Sequence, residues 1–222
     1  MKTRERFHEL EVQQIARELV EGLLYLRGRR ILHRGLCPEA IAIDQEMGIK
    51  IQNFQTFFEL QKFEDKCTER VSSGSVEYMA PEMIQHEQGY SFEVDAWSLG
   101  IICYQLRFGN TPFFGLDELK MLEAITQGEW CFPEGAKVSE EFIDFVSRLL
   151  VLDPSKRLIL DDMKVHPFLV RFKYELKGLS VSSLKYRPEP SWVRQFFADF
   201  VPTRLPTQLQ LQQLVKQDTV IK

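Results

Sequence analysis

Residues 31–40, ILHRGLCPEA, sit between a stretch with helical periodicity and a stretch with β character, and they gather reactive side chains into a few positions. His33, Arg34 and Cys37 together suggest a thiol nucleophile, because neighbouring basic groups lower a thiol pKa. No third group is placed to orient them, so a buried, inert Cys37 is the expectation. Upstream, Val12, Ile15, Ala16, Leu19, Val20, Leu23 and Leu24 follow the i, i+3, i+4, i+7 rhythm of one amphipathic helix. Gly28 and the basic Arg27, Arg29 and Arg30 close it, as suits a helix C-terminus. Downstream, residues 41–44 and 49–52 read as two short strands parted by Gln45, Glu46, Met47 and Gly48, which predicts a hairpin.

Further motifs recur at spacings that make chance improbable. Asn53-Phe54-Gln55 follows Gly35 by 18 positions, and a polar segment rich in Glu, Lys, Thr and Ser leads from it to residues 74–82, GSVEYMAPE. Then come DAWSLG at 95–100, GNTPFF at 109–114, LLVLDPSKR at 149–157 and HPF at 166–168. Together these resemble the eukaryotic protein kinases, whose motifs are H-R-D-L-K-P-E-N, D-F-G, G-T-x-x-Y-x-A-P-E, D-x-W-S-x-G, L-L-x-x-D-P-x-x-R and H-P-F. GSVEYMAPE is the most specific match, with Ser75 in place of Thr. The resemblance covers about residues 7–169.

The resemblance implies a mainly α (α+β) fold: the C-terminal large lobe of a kinase with a short β-hairpin, the N-terminal small lobe being absent. No G-x-G-x-x-G and no strand Lys motif occurs in the sequence. It also implies roles. His33 and Phe54 would stack, Asp95 would accept hydrogen bonds from the loop backbone, Glu82 would pair with Arg157, and Arg34 would be available to a phosphorylated Thr68, Ser72 or Ser73. A solvated loop, with Arg34 held by local carbonyls, is the favoured reading of that last feature. Where the family has its base, its phosphate-contacting Lys, its two metal ligands and a Gly, this chain has Gly35, Cys37, Ala40, Asn53 and Gln55. Phosphoryl transfer needs positioned charge, and Asn53 and Ala40 offer no anionic oxygen to a hard cation. These substitutions predict a non-enzyme, a pseudokinase with no catalytic residue, no cofactor and no metal, serving as a protein-binding scaffold. ATP and Mg²⁺ binding are not expected, and restoring Gly35→Asp alone should recover no activity. The alternative is a Ser/Thr kinase-like enzyme with unorthodox nucleotide chemistry, or one completed by a small lobe from another chain.

Composition limits the remaining classes. The chain has 222 residues, 44% of them apolar, enough for one domain with an extension. With 28 Lys and Arg against 32 Asp and Glu, its net charge of −4 gives no case for nucleic acid. Cys37, Cys67, Cys103 and Cys131 have neither disulfide-framework nor zinc spacing, and His8, His86 and His166 are scattered. A reducing compartment follows, and with no signal-peptide or membrane-spanning pattern the expectation is an intracellular, cytoplasmic protein without membrane attachment. The expected organisation is a domain at 7–169 and an extension at 170–222, Pro- and aromatic-rich, then Gln-rich. Trp192, Phe196, Phe197 and Phe200 fall on one helical face there, the candidate contact for a protein partner.

Overall fold

The chain is described by a computed structural model covering residues 7–43, 48–71, 75–85, 88–113 and 117–170. Helix α1, Glu9–Gly28, buries Val12, Ile15, Ala16, Leu19, Val20 and Leu23, the stripe its periodicity predicts. It begins earlier than its first apolar residue because His8 donates its backbone N–H to Glu11 Oε2 at 2.6 Å, closing the first turn. Two-residue strand β1, Ile31–Leu32, leads into the loop, and the hairpin of β2, Ile41–Ile43, and β3, Ile49–Ile51, follows in antiparallel register with Ile41 opposite Ile51.

A second pairing was not legible beforehand. Strand β4, Phe58–Glu59, runs antiparallel to β1, with Leu32 opposite Phe58. Strands of two residues carry no periodicity to detect. The pairing folds the chain after Phe54 back over the loop, and the bridge between Cys67 and Tyr90 extends that fold-back.

Short helix α2, Pro81–Gln85, precedes α3, Glu93–Phe108, which is buried nearly all round, from Val94 through Leu106. Gly100 permits its close approach to the next layer: an added Cβ would meet Leu149 Cβ and Leu150 Cδ2 at 2.9 Å. Helix α4, Glu118–Gln127, is capped by Asp117, which accepts from Lys120 N at 2.8 Å. Helix α5, Glu140–Leu149, is capped by Ser139, which accepts from Phe142 N at 3.1 Å. Glu9 of α1 accepts from Ser139 N at 2.8 Å, so one cap also ties two helices together. Helix α6, Leu160–Met163, and a last turn at 167–170 place Phe168 between Phe142 and Phe145, at ring distances of 5.4 and 5.2 Å.

The architecture is mainly helical, with two small antiparallel pairs at the loop. No described helix is long and apolar enough to cross a membrane. The aromatic face of the extension, Ser72 and Ser73 lie outside the described residues.

Candidate functional site

The loop at 33–40 owes its shape to one buried carboxylate. Asp95, near the start of α3, accepts from His33 N at 2.8 Å and Arg34 N at 2.9 Å, one bond to each oxygen. Burial pushes its carboxyl pKa upward, while His33, the two N–H bonds and Arg34 pull it back. His33 Nε2 lies 2.9 Å from Gln52 O, and its Nδ1 accepts from Gly35 N at 3.3 Å. The edge of that ring meets Phe54 at 5.0 Å. The turn is completed by Arg34 at φ 62° and Asn53 at φ 61°, both left-handed; Asn tolerates this region better than most residues.

The Arg34 guanidinium is almost fully used. Nε donates to Thr56 O, Nη2 to Phe57 O at 3.2 Å, and Nη1 to Cys67 Sγ and Tyr90 Oη, each at 3.2 Å. Glu69 Oε2 lies 3.9 Å away, and the guanidinium sits 5.2 Å from the centre of the Phe58 ring. Local carbonyls hold it as anticipated, but the thiol, the phenol and the Glu carboxylate were missed. Each is brought in by the β1–β4 and Cys67–Tyr90 pairings, which have no sequence signature. Thr68 is exposed beside this cluster.

The segment 75–80 closes the other side. Ser98 Oγ donates to Tyr78 O at 2.8 Å, and Tyr78 Oη donates to Gln105 Oε1 at 2.7 Å, fastening the segment to α3. Burial, then the Glu39 carboxylate, pushes the Tyr78 hydroxyl pKa well upward. Between segment and loop lies a cavity of about 10 Å³ bordered by Gly35, Cys37, Ser75 and Tyr78, room for roughly one water molecule. Cys37 is buried there; burial first, then its hydrogen bond to Glu39, pushes its thiol pKa up to about 12. It is therefore no thiolate nucleophile at neutral pH. Cys67 and Cys103 are also buried and free, and Cys131 is free and exposed.

Below the site, Arg157 donates to both oxygens of Glu82, at 2.6 and 3.0 Å, and to Glu93 O and Val151 O, while its guanidinium sits 5.0 Å from the Trp97 ring centre. The Arg157 side chain is fully buried and that of Glu82 is 13% exposed. Such a bidentate pair is geometrically demanding and costly to break.

At the positions where phosphate-transfer chemistry would draw charge, Ala40 is buried and Asn53 and Gln55 are exposed. Among the described residues no three His, Cys, Asp or Glu side chains gather as a metal site. This donor set does not fit a divalent cation. Above Gly35 the space is taken: an added Cβ would lie 2.5 Å from Thr56 Oγ1, whose hydroxyl donates to His33 O at 3.0 Å. Thr56 was not singled out from the sequence, because nothing in the order of residues places it against position 35.

Comparison with known proteins adds what geometry cannot. The chain is 36% identical over 208 residues to the probable serine/threonine-protein kinase CCRP1 of Zea mays, an alignment covering 94% of this chain and 33% of that protein. It is 35% identical over 173 residues to the human phosphorylase b kinase gamma catalytic chain, liver/testis isoform, covering 73% and 41%. To a probable myosin light chain kinase of Dictyostelium discoideum it is 36% identical over 167 residues, covering 73% and 34%. The chain thus spans about a third to two fifths of the length of these relatives. All are named as kinases. They overturn the expectation of a non-enzyme, and with it the non-catalytic scaffold, and point to a kinase enzyme. The physical reason is that phosphoryl transfer draws chiefly on positioning and on charge, and residues beyond a third of a protein can supply both. The protein kinase domain family matches residues 1–169, and the chain belongs to that family.

Proposed function

We propose that this chain is the large lobe of a serine/threonine protein-kinase enzyme, presenting the hydroxyl of a polypeptide to a nucleoside triphosphate held by residues outside the chain. The observation that carries the reading is the fixed loop: Asp95 holds the backbone of His33 and Arg34 while Arg34 ties the loop to Thr56, Phe57, Cys67 and Tyr90. Three of these tethers, at Thr56, Phe57 and Cys67, lie on the segment that leads towards 75–80.

In this reading the large lobe contributes orientation. Holding an acceptor hydroxyl in line with the phosphorus converts a bimolecular encounter into a local one, a contribution of up to about 7–11 kcal/mol in well-aligned systems. The chain supplies no carboxylate at 35 and no metal ligands at 40 and 53, so no step is assigned to a metal on these residues. The name of the Zea mays relative, a probable serine/threonine-protein kinase, supports serine or threonine side chains of proteins as the substrate class. Nucleotide binding separates this reading from its rivals. Native protein, purified with its associated chains, should be stabilised by ATP with Mg²⁺, whereas residues 1–222 alone should show no shift. Ligand at about 100 times its dissociation constant stabilises by about 2.7 kcal/mol; absence of any ATP-dependent shift in the native material would overturn the proposal.

A further inference from the structure

Among the described helices of ten residues or more, α4 alone buries a single side chain, that of Ile125. Met121 and Ala124 pack partly against the core, which leaves Leu119 and Leu122 one turn apart on the outer side of the helix. Leu119 is 78% exposed, more than any other described large apolar side chain. The rim of this face is acidic: Asp117, Glu118, Glu123 and Glu129 are exposed, and Lys120 is the one basic residue between positions 117 and 129. Helix α4 also packs on residues 76–78, so an occupant of its outer face stands beside the segment that borders the cavity at Gly35.

We infer that residues 191–200 of this same chain dock on the Leu119–Leu122 face of α4, their aromatic side chains covering the two leucines. Charge favours this occupant. Arg171, Lys173, Lys177, Lys185 and Arg187 stand against Glu175 alone before Pro188, although the whole chain is net −4. The acidic excess therefore lies before residue 171, and a basic segment leads the aromatic one towards an acidic surface. Where the extension begins is also fixed. Gln13 Nε2 donates to Phe168 O and Arg17 Nη2 to Leu169 O at 2.9 Å, so the chain leaves the surface beside α1. At about 3.3 Å per residue, residues 171–191 span up to about 70 Å, more than the diameter of about 40 Å expected of a domain this size. The tether thus reaches α4 wherever it lies relative to Val170. Trp192, Phe196 and Phe200 recur at i, i+4 and i+8, one stripe in helical form. Such a stripe matches an apolar pair one turn apart, while Arg187 and Arg194 supply cations for the acidic rim.

The test replaces Leu119 of the intact protein by the photoreactive p-benzoylphenylalanine, irradiates it, and maps the linked peptides by mass spectrometry. The expected product is a link from 119 to residues 191–200 in a species of single-chain mass. The same probe at Glu140, exposed on α5, should give no link to that peptide. Trp192→Ala with Phe196→Ala should lower the product at least about tenfold, the scale of truncating aromatic anchors. Links from 119 to a second copy of the chain, to an associated protein or to another segment of this chain overturn the inference. So do the absence of any link, an equal yield from position 140, and an undiminished yield in the double variant. Each of these outcomes leaves the kinase reading standing.

Discussion

At Asp95 two backbone N–H groups share one buried carboxylate, so removing it strands two donors away from water. Each buried unsatisfied donor costs about 1–3 kcal/mol. Asp95→Ala should therefore lower unfolding free energy by about 3 kcal/mol or more, read by urea denaturation. His166 has a different charge logic. Its Nε2 donates to Asp144 Oδ2 at 2.9 Å, its Nδ1 accepts from Phe168 N at 3.2 Å, and burial holds its pKa below the usual value despite Asp144. The unfolded chain then binds the proton more readily, so the stability due to His166 is full above the ordinary His pKa and declines as pH falls through it towards the lower folded value. The urea midpoint should fall between pH 7.5 and pH 5.5, and the gap between wild type and His166→Asn should narrow over that interval. Among the cysteines, only the exposed Cys131 should react quickly with iodoacetamide in native protein at pH 8, while Cys37, its thiol pushed up to about 12, stays unmodified.

Elements show where sequence was enough and where it was not. Helix α1 was legible because its apolar period and basic stop are local, and the caps of α4 and α5, Asp117 and Ser139, are equally local features. Ser139→Ala should cost about 1 kcal/mol as a lost cap, and more than Asp117→Ala, because the Ser139 hydroxyl also donates to Glu9 Oε1. A double-mutant cycle with Glu9→Ala would measure that excess. The hairpin was legible from two β-rich runs, although β3 stops short of Gln52. The β1–β4 pair was not, since two residues hold no pattern, and with it went Cys67, Tyr90 and Thr56 as partners of the loop. Such partners are set by how distant segments cross, which no residue spacing encodes. The Glu82–Arg157 pair, 75 positions apart, became legible only through the family resemblance. Breaking it with Glu82→Gln should cost on the order of 3 kcal/mol, because the guanidinium stays buried.

At the scale of the molecule, side chains missing at 35, 40 and 53 led from sequence to a non-enzyme, and kinship with proteins named as kinases reversed that conclusion. The inversion is instructive: a substituted motif reports which groups a chain omits, while the activity of an assembly also depends on what lies beyond it. The loop framework, by contrast, is fully furnished, with Asp95, His33, Arg34 and the Glu82–Arg157 pair all engaged. In the proposed function this framework serves phosphoryl transfer to a protein hydroxyl. That function is tested most directly by incubating native protein, with its associated chains, with γ-labelled ATP, Mg²⁺ and a serine- and threonine-containing protein, then identifying the labelled residues. Label should appear on serine or threonine and be lost when Asp95→Ala releases the loop; label no greater than in a protein-free control would overturn the proposed function.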